Sequence, residues 1–165
     1  MELKFSEIYS KREKKKQLDF AFEIESFDFE GEEIKATKPV HVIGELGLIG
    51  SIIELTVHIN TELEFLCSRC LSSFLYTVDI DAVEKFTNNK EYNEDEDIVV
   101  ITDDRLDINE VIINNIISTL PIKRLCNNDC KGLCQECGTN LNLTTCSCNS
   151  GDVDIRLAKL KELFN

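Results

Sequence analysis

The chain contains no tryptophan, one methionine, two prolines and two histidines in 165 residues. Two histidines leave little material for a catalytic metal site with an open position, which usually draws on imidazole. His41 and His58 both fall inside alternating, strand-like patterns and read as structural. No apolar run is long enough to cross a bilayer: the most apolar window, Val42 to Ile59, is broken by Glu45, Glu54 and His58. The opening MELKFSEIYS has no basic segment followed by an apolar one, so no export signal is read and a cytoplasmic, reducing setting is expected. Cations are in deficit: 18 Lys and Arg against 31 Asp and Glu give −13 and a pI near 4.6. That balance excludes a generally nucleic-acid-binding surface. Neither a nucleophile elbow nor a phosphate loop occurs, and Gly44-x-x-Gly47-x-x-Gly50 lacks the strand-to-helix setting and the lysine of the latter. The carboxylates from Glu91 to Asp97 have no apolar surroundings to shift a pKa. Together these absences predict a protein that is not an enzyme.

Cysteine is the residue in excess. Six of the eight fall between Cys126 and Cys148, in LCNNDCKGLCQECGTNLNLTTCSC. Such a stretch has too few apolar side chains to bury a core, so disulfides or metal–thiolate bonds must hold it. A reducing compartment favours metal. Cys134-x-x-Cys137-Gly138 has the form of a zinc knuckle, and Cys146-Ser147-Cys148 can complete a four-thiolate Zn2+ site. The remaining pair, Cys67-Ser68-Arg69-Cys70, can join Cys126 and Cys130 around a second ion. The alternative is that Cys67 and Cys70 are reduced, partly buried thiols. A thioredoxin-type role is disfavoured because the residues after Cys70 alternate like a strand, whereas redox pairs open a helix.

Around this stretch the chain is a soluble globular one, 42% apolar and 30% charged. Period-two alternation predicts strands over 18–25, 34–37, 40–48, 51–65, 74–86 and 98–101, with a bulge near Ser26, a turn at Gly31, and a bulge and a tight hairpin among Gly44, Gly47 and Gly50. The short connections predict a mainly antiparallel sheet, with barrel-like closure allowed. Asp107-x-x-Glu110 resembles a capping box, and Ile108, Val111, Ile112, Ile116 and Leu120 share one face of a helix over 107–120 that Pro121 stops. The fold class is therefore α+β. Residues 1–121 form a β-rich domain with a covering helix, 122–150 a cysteine-rich zinc-binding segment, and 151–165 a terminal amphipathic helix docked on its own chain, bearing Leu157, Leu160, Leu163 and Phe164. The acidic stretch 87–97 reads as a loop.

Two basic groups stand out. Lys11, Arg12, Lys14, Lys15 and Lys16 read as a solvated face. Arg69, Lys123, Arg124 and Lys131 lie beside the cysteines, where they either offset thiolate charge or contact RNA or a protein partner. Eight thiolates with two zinc dications leave −4, so any phosphate contact must be local.

C-x-R-C-L at Cys67 to Leu71, a helix ending Leu120-Pro121, and C-K-G-L-C-x-x-C-G-x-N-L-N at Cys130 to Asn142 followed by C-x-C together resemble the YceD family of large ribosomal RNA subunit accumulation proteins. Asp154-Ile155-Arg156 stands where many members have Asp-Pro-Arg. The resemblance implies a bacterial or organellar, non-enzymatic factor in large-subunit biogenesis. Its partners would be large-subunit rRNA, a pre-ribosomal particle or a basic ribosomal protein, and it carries over no catalytic residue. A compact basic tip on an acidic body can bind one shaped RNA site while bulk RNA is repelled, and the −13 surface also suits a basic protein. A monomer without membrane attachment is expected. A zinc-stabilised interaction module and a thiol oxidoreductase using Cys67 and Cys70 are the competing readings.

Overall fold

The computed structural model describes residues 2–4, 15–24, 26–89, 97–101 and 105–148. The basic residues Lys11 to Lys14, most of the acidic loop and the expected helix over 151–165 lie outside them. The chain divides into two compact units, one of residues 1–65 and 73–124, the other of 66–72 and 125–165.

In the first unit the alternating segments become strands, because each buries one row of side chains while the other stays wet. They are β2 (Lys15–Phe22), β3 (Ser26–Phe29), β4 (Glu32–Ala36), β5 (Val40–Ile49), β6 (Ile52–Leu66), β7 (Ser73–Thr87) and β8 (Ile98–Val100). β1 (Glu2–Lys4) pairs separately with β9 (Arg105–Asp107), two short strands that periodicity does not reveal. The sheet runs β2-β5-β6-β4-β3, with β7 beside β6 and β8 beside β7. β6 is long enough to serve two neighbours, pairing residues 52–60 with β5 and 63–64 with β4.

Barrel-like closure does not occur. Among the described residues β2 pairs only with β5 and β3 only with β4, so both remain edges there. The change of phase near Ser26 is accordingly no bulge: the chain leaves β5 after Phe22 and takes up β4 from Ser26. One pairing is parallel, Lys85↔Ile98 through Thr87↔Val100. Residues 88–97 are long enough to carry the chain back for it, where shorter connections elsewhere force antiparallel neighbours.

The turns follow their residues. Glu30 and Gly31, at φ +55° and +81°, join β3 to β4. Gly50, at φ +65°, and Ser51 join β5 to β6. The bulge expected among Gly44, Gly47 and Gly50 does not form: the register runs unbroken from His41↔Asn60 to Ile49↔Ile52, and Gly44 lies opposite Val57 where the strands approach so closely that a side chain would not fit.

Helix α1 (Ile108–Thr119) begins at Asp107, whose carboxylate accepts from Asn109 N at 3.0 Å. Its buried Ile108, Ile112 and Ile116 join Leu46, Ile53, Leu55, Ile59 and Leu63 in one core. Asn115 Nδ2 donates to Glu84 Oε1 of β7 at 2.9 Å, fixing the helix on that face. No helix among the described residues is long and apolar enough to cross a membrane.

Candidate metal centres

The second unit contains all eight cysteines, and its geometry begins with a turn used twice. In Cys67-Ser68-Arg69-Cys70-Leu71, Leu71 N donates to Cys67 O at 2.9 Å and Cys67 N donates to Ser72 O at 2.9 Å. In Cys134-Gln135-Glu136-Cys137-Gly138, Gly138 N donates to Cys134 O at 2.9 Å and Cys134 N to Thr139 O at 2.8 Å. The residue after the second cysteine is left-handed in both, Gly138 at φ +72° and Leu71 at φ +56°. For glycine that costs nothing; for leucine it costs about 1–2 kcal/mol.

Each knuckle faces another cysteine pair. Cys67, Cys70, Cys126 and Cys130 form one set whose sulfurs all lie within 4.8 Å of one another, and Cys134, Cys137, Cys146 and Cys148 form another. These are the two sets that spacing suggested. Cys67 Sγ lies 3.8 Å from Cys130 Sγ, and Cys70 Sγ 3.6 Å from Cys126 Sγ. Both distances are far beyond an S–S bond of about 2.05 Å. They match the separation of about 3.8 Å that four thiolates take around one ion at metal–sulfur bonds of about 2.3 Å. The donor sets thus fit a tetrahedral, soft-ligand metal.

Ionisation supports the same fit. Burial pushes the Cys67 thiol up, but hydrogen bonds from the backbone of Cys126, Cys70 and Arg69 outweigh it and bring it down to about 6. Its set-mate Cys126, first through its contact with Cys70, is pushed up to about 12. In the other set Cys137 falls to about 6, held by the Thr139 hydroxyl and amide, while Cys148, facing Cys137, rises to about 12. Four thiols this close cannot all ionise against one another; a dication removes that conflict.

Asparagines brace the ligands. Asn142 Nδ2 donates to Cys130 Sγ at 3.3 Å, and Asn142 Oδ1 accepts from Lys131 N at 2.8 Å. Asn140 Oδ1 accepts from Asn142 Nδ2 at 2.8 Å, while Asn140 Nδ2 donates to Ser72 Oγ at 3.3 Å. Both asparagines stand in the motif Gly138-x-Asn140-x-Asn142 that is part of the family resemblance, but the motif alone gives them no role. Gly132, at φ +76°, lets the chain lie against the first knuckle: an added Cβ would come within 3.1 Å of Arg69 O, beside the bond from Leu133 N to that carbonyl.

The four cations proposed as contacts are not alike. Arg69 is exposed, but its Nη1 donates to Cys130 O at 2.9 Å, so it also clasps the first metal set. Lys123 and Lys131 are exposed. Arg124 is 6% exposed: its guanidinium lies over the Phe29 and Phe65 rings at 5.6 and 6.0 Å, with Glu32 at 3.2 Å and Glu30 at 3.6 Å. It is a packing cation of the sheet unit, covered rather than offered to a partner. Arg124→Ala should therefore cost about 2 kcal/mol or more in urea unfolding, while Arg124→Met, which keeps the apolar stem, should stay within about 1 kcal/mol of the parent. Of the histidines, His58 Nδ1 lies 3.0 Å from Asp81 and Nε2 3.5 Å from Asp79, exposed on the sheet.

The family model for the large ribosomal RNA subunit accumulation protein YceD matches residues 55–164, more than half of the chain. The chain belongs to the YceD family. An uncharacterised protein of Mycobacterium tuberculosis is 31% identical over 102 residues, covering 59% of this chain and 49% of that protein. An uncharacterised protein of Mycobacterium leprae is 32% identical over 79 residues, 46% of this chain and 36% of its own. The chain thus spans about half the length, or less, of these curated relatives. A maize protein named large ribosomal RNA subunit accumulation protein YCED homolog 1, chloroplastic, is 40% identical over 63 residues, 38% of this chain and 21% of its own. No solved structure matches. The YceD name ties the family to accumulation of large-subunit rRNA, and no catalytic family is indicated. The matched region contains both cysteine sets.

Proposed function

We propose that this YceD protein is a non-enzymatic, zinc-stabilised factor that supports accumulation of large-subunit rRNA by binding a component of the assembling subunit. The observation that carries the reading is the family match over a region that includes both four-cysteine sets. Zinc is the metal favoured by four thiolates in closed tetrahedral sets, and such sites are structural because no ligand position is left open. Cys67, Cys70, Cys126 and Cys130 would hold one ion, and Cys134, Cys137, Cys146 and Cys148 the other, each fixing a knuckle that has little core of its own.

The component bound is more readily a cationic ribosomal protein than naked RNA. The chain carries −13, and burial of Arg124 removes one of the four cations that a phosphate-binding tip would use. A thiol oxidoreductase fits less well, since Cys67 and Cys70 sit on a knuckle between strands with other cysteines against each.

Depletion in the native organism is the direct test. The ratio of large- to small-subunit rRNA should fall severalfold and return with the wild-type gene, whereas a Cys134→Ser, Cys137→Ser copy should restore little of it. An unchanged ratio on depletion would defeat the reading.

A further inference from the structure

The two knuckles share their turn but not the residue that closes it. Gly138 occupies the left-handed position of one with no strain, while Leu71 occupies that of the other at φ +56°. A leucine there would be explained if its side chain were buried, yet Leu71 is 64% exposed. Its strain is thus unrepaid by packing within the described chain. The knuckle needs a left-handed residue here, but nothing among the described residues asks for leucine rather than the glycine of the other knuckle, which points to a use for its side chain elsewhere. Leu143, 80% exposed, lies on the neighbouring segment: its N–H donates to Asn140 O at 3.1 Å, and the Asn140 side chain donates to Ser72 Oγ, next to Leu71.

We propose that Leu71, with Leu143 nearby, is the aliphatic anchor by which the cysteine-rich unit docks on a cationic protein. Leucine offers neither a stacking face nor a hydrogen bond to a nucleobase, but it fits an apolar pocket in a protein. Charge selects the same class. Arg69 and Lys131 balance Asp129 and Glu136 among the unit's described residues, so two dications with eight thiolates leave it at about −4. RNA phosphates are repelled by that charge and a basic protein surface is attracted. The inference rests on the large-subunit reading for the identity of the partner's assembly.

The decisive variant is Leu71→Gly, which keeps the knuckle's backbone and removes the anchor. The probe is the protein fraction stripped from purified large ribosomal subunits with concentrated salt, offered to the full, metal-loaded chain. Wild type should retain a basic protein from it. Leu71→Gly should weaken that binding roughly tenfold or more, and Leu143→Ser should weaken it too, while Leu71→Gly keeps its metal content and a Tm at or above the parent's. A lowered Tm in Leu71→Gly would assign the leucine to a contact within its own chain and overturn the proposal. So would equal binding by wild type and Leu71→Gly, or, with protein-free large-subunit RNA offered in parallel, binding of that RNA and of no protein. If wild type binds no subunit protein while depletion still lowers large-subunit rRNA, the anchor is refuted and the proposed function stands.

Discussion

Purified under reducing conditions, the chain should carry two zinc ions, and Cys67→Ser and Cys134→Ser should each remove one. The effect on folding should be large. The fully buried apolar residues of the second unit are themselves ligands, Cys67, Cys70 and Cys130, and no core cluster lies elsewhere among its described residues. Structural zinc in small cysteine-rich units supplies on the order of 10–16 kcal/mol of apparent binding free energy, so the unit has no comparable source of order once the ion leaves. Chelation should therefore abolish amide protection over residues 125–148 while the sheet core, built on Ile53, Leu55 and Ile59, keeps its own. Acid should act like a chelator. Every ligand must be a thiolate, so protons compete with the metal and affinity falls as pH falls. Cys126 and Cys148, near 12 without a cation, must lose their protons when an ion enters, so loading at neutral pH should release protons. Zinc release followed with a chromogenic chelator over a pH titration measures this, and retention of both ions by Cys134→Ser would refute the assignment.

Gly44→Ala should be among the most damaging single substitutions in the sheet. A Cβ at this position would fall on Thr56 O and lie 2.7 Å from Val57 Cα, both backbone atoms of the paired strand. A flexible side chain could swing away, but β5 and β6 are hydrogen-bonded on either side of this point, from Ile43↔His58 to Glu45↔Thr56. They can separate only by breaking pairs that flank Val42, Leu46, Val57 and Leu55, all buried. Overpacking of this kind costs about 3 kcal/mol or more, a large part of a small domain's stability. Gly47→Ala is the control. Its added Cβ meets nothing closer than Glu54 O at 4.0 Å, so it should lose less than about 1 kcal/mol. Urea unfolding of the two variants side by side separates the clash from the general effect of removing a glycine, and equal midpoints would show that the strands yield.

Much of this molecule was written locally in the chain. Strict alternation along Ile53, Leu55, Val57, Ile59, Leu63 and Phe65 specified β6, since a period of two places all six on one face, and all six are buried. The helix over 108–119 was equally legible, because Asp107 caps it and three isoleucines at helical spacing bury together. The cysteine pairs were legible too, because thiolate spacing within a knuckle is a local property of turns; that Cys67 and Cys70 lie against Cys130 and Cys126, 63 and 56 residues further on, is decided by the fold. Other features depended on residues far apart. The parallel pairing of β8 and the open edges at β2 and β3 follow from where the chain returns, which periodicity does not encode. β1 and β9, three residues each, are too short to show a period. Arg124 looked like one cation among four; only the approach of Phe29, Phe65, Glu30 and Glu32 from distant strands makes it a buried one. Leu71 likewise reads as an ordinary leucine after a cysteine, and its left-handed backbone emerges only when the turn is closed from Cys67 to Ser72. The sequence by itself determined which residues can bury and which can ligate, because those are properties of side-chain type and local spacing. The tertiary structure decided which exposed-looking groups are covered and which backbone positions are strained, because both depend on atoms brought near from elsewhere in the chain.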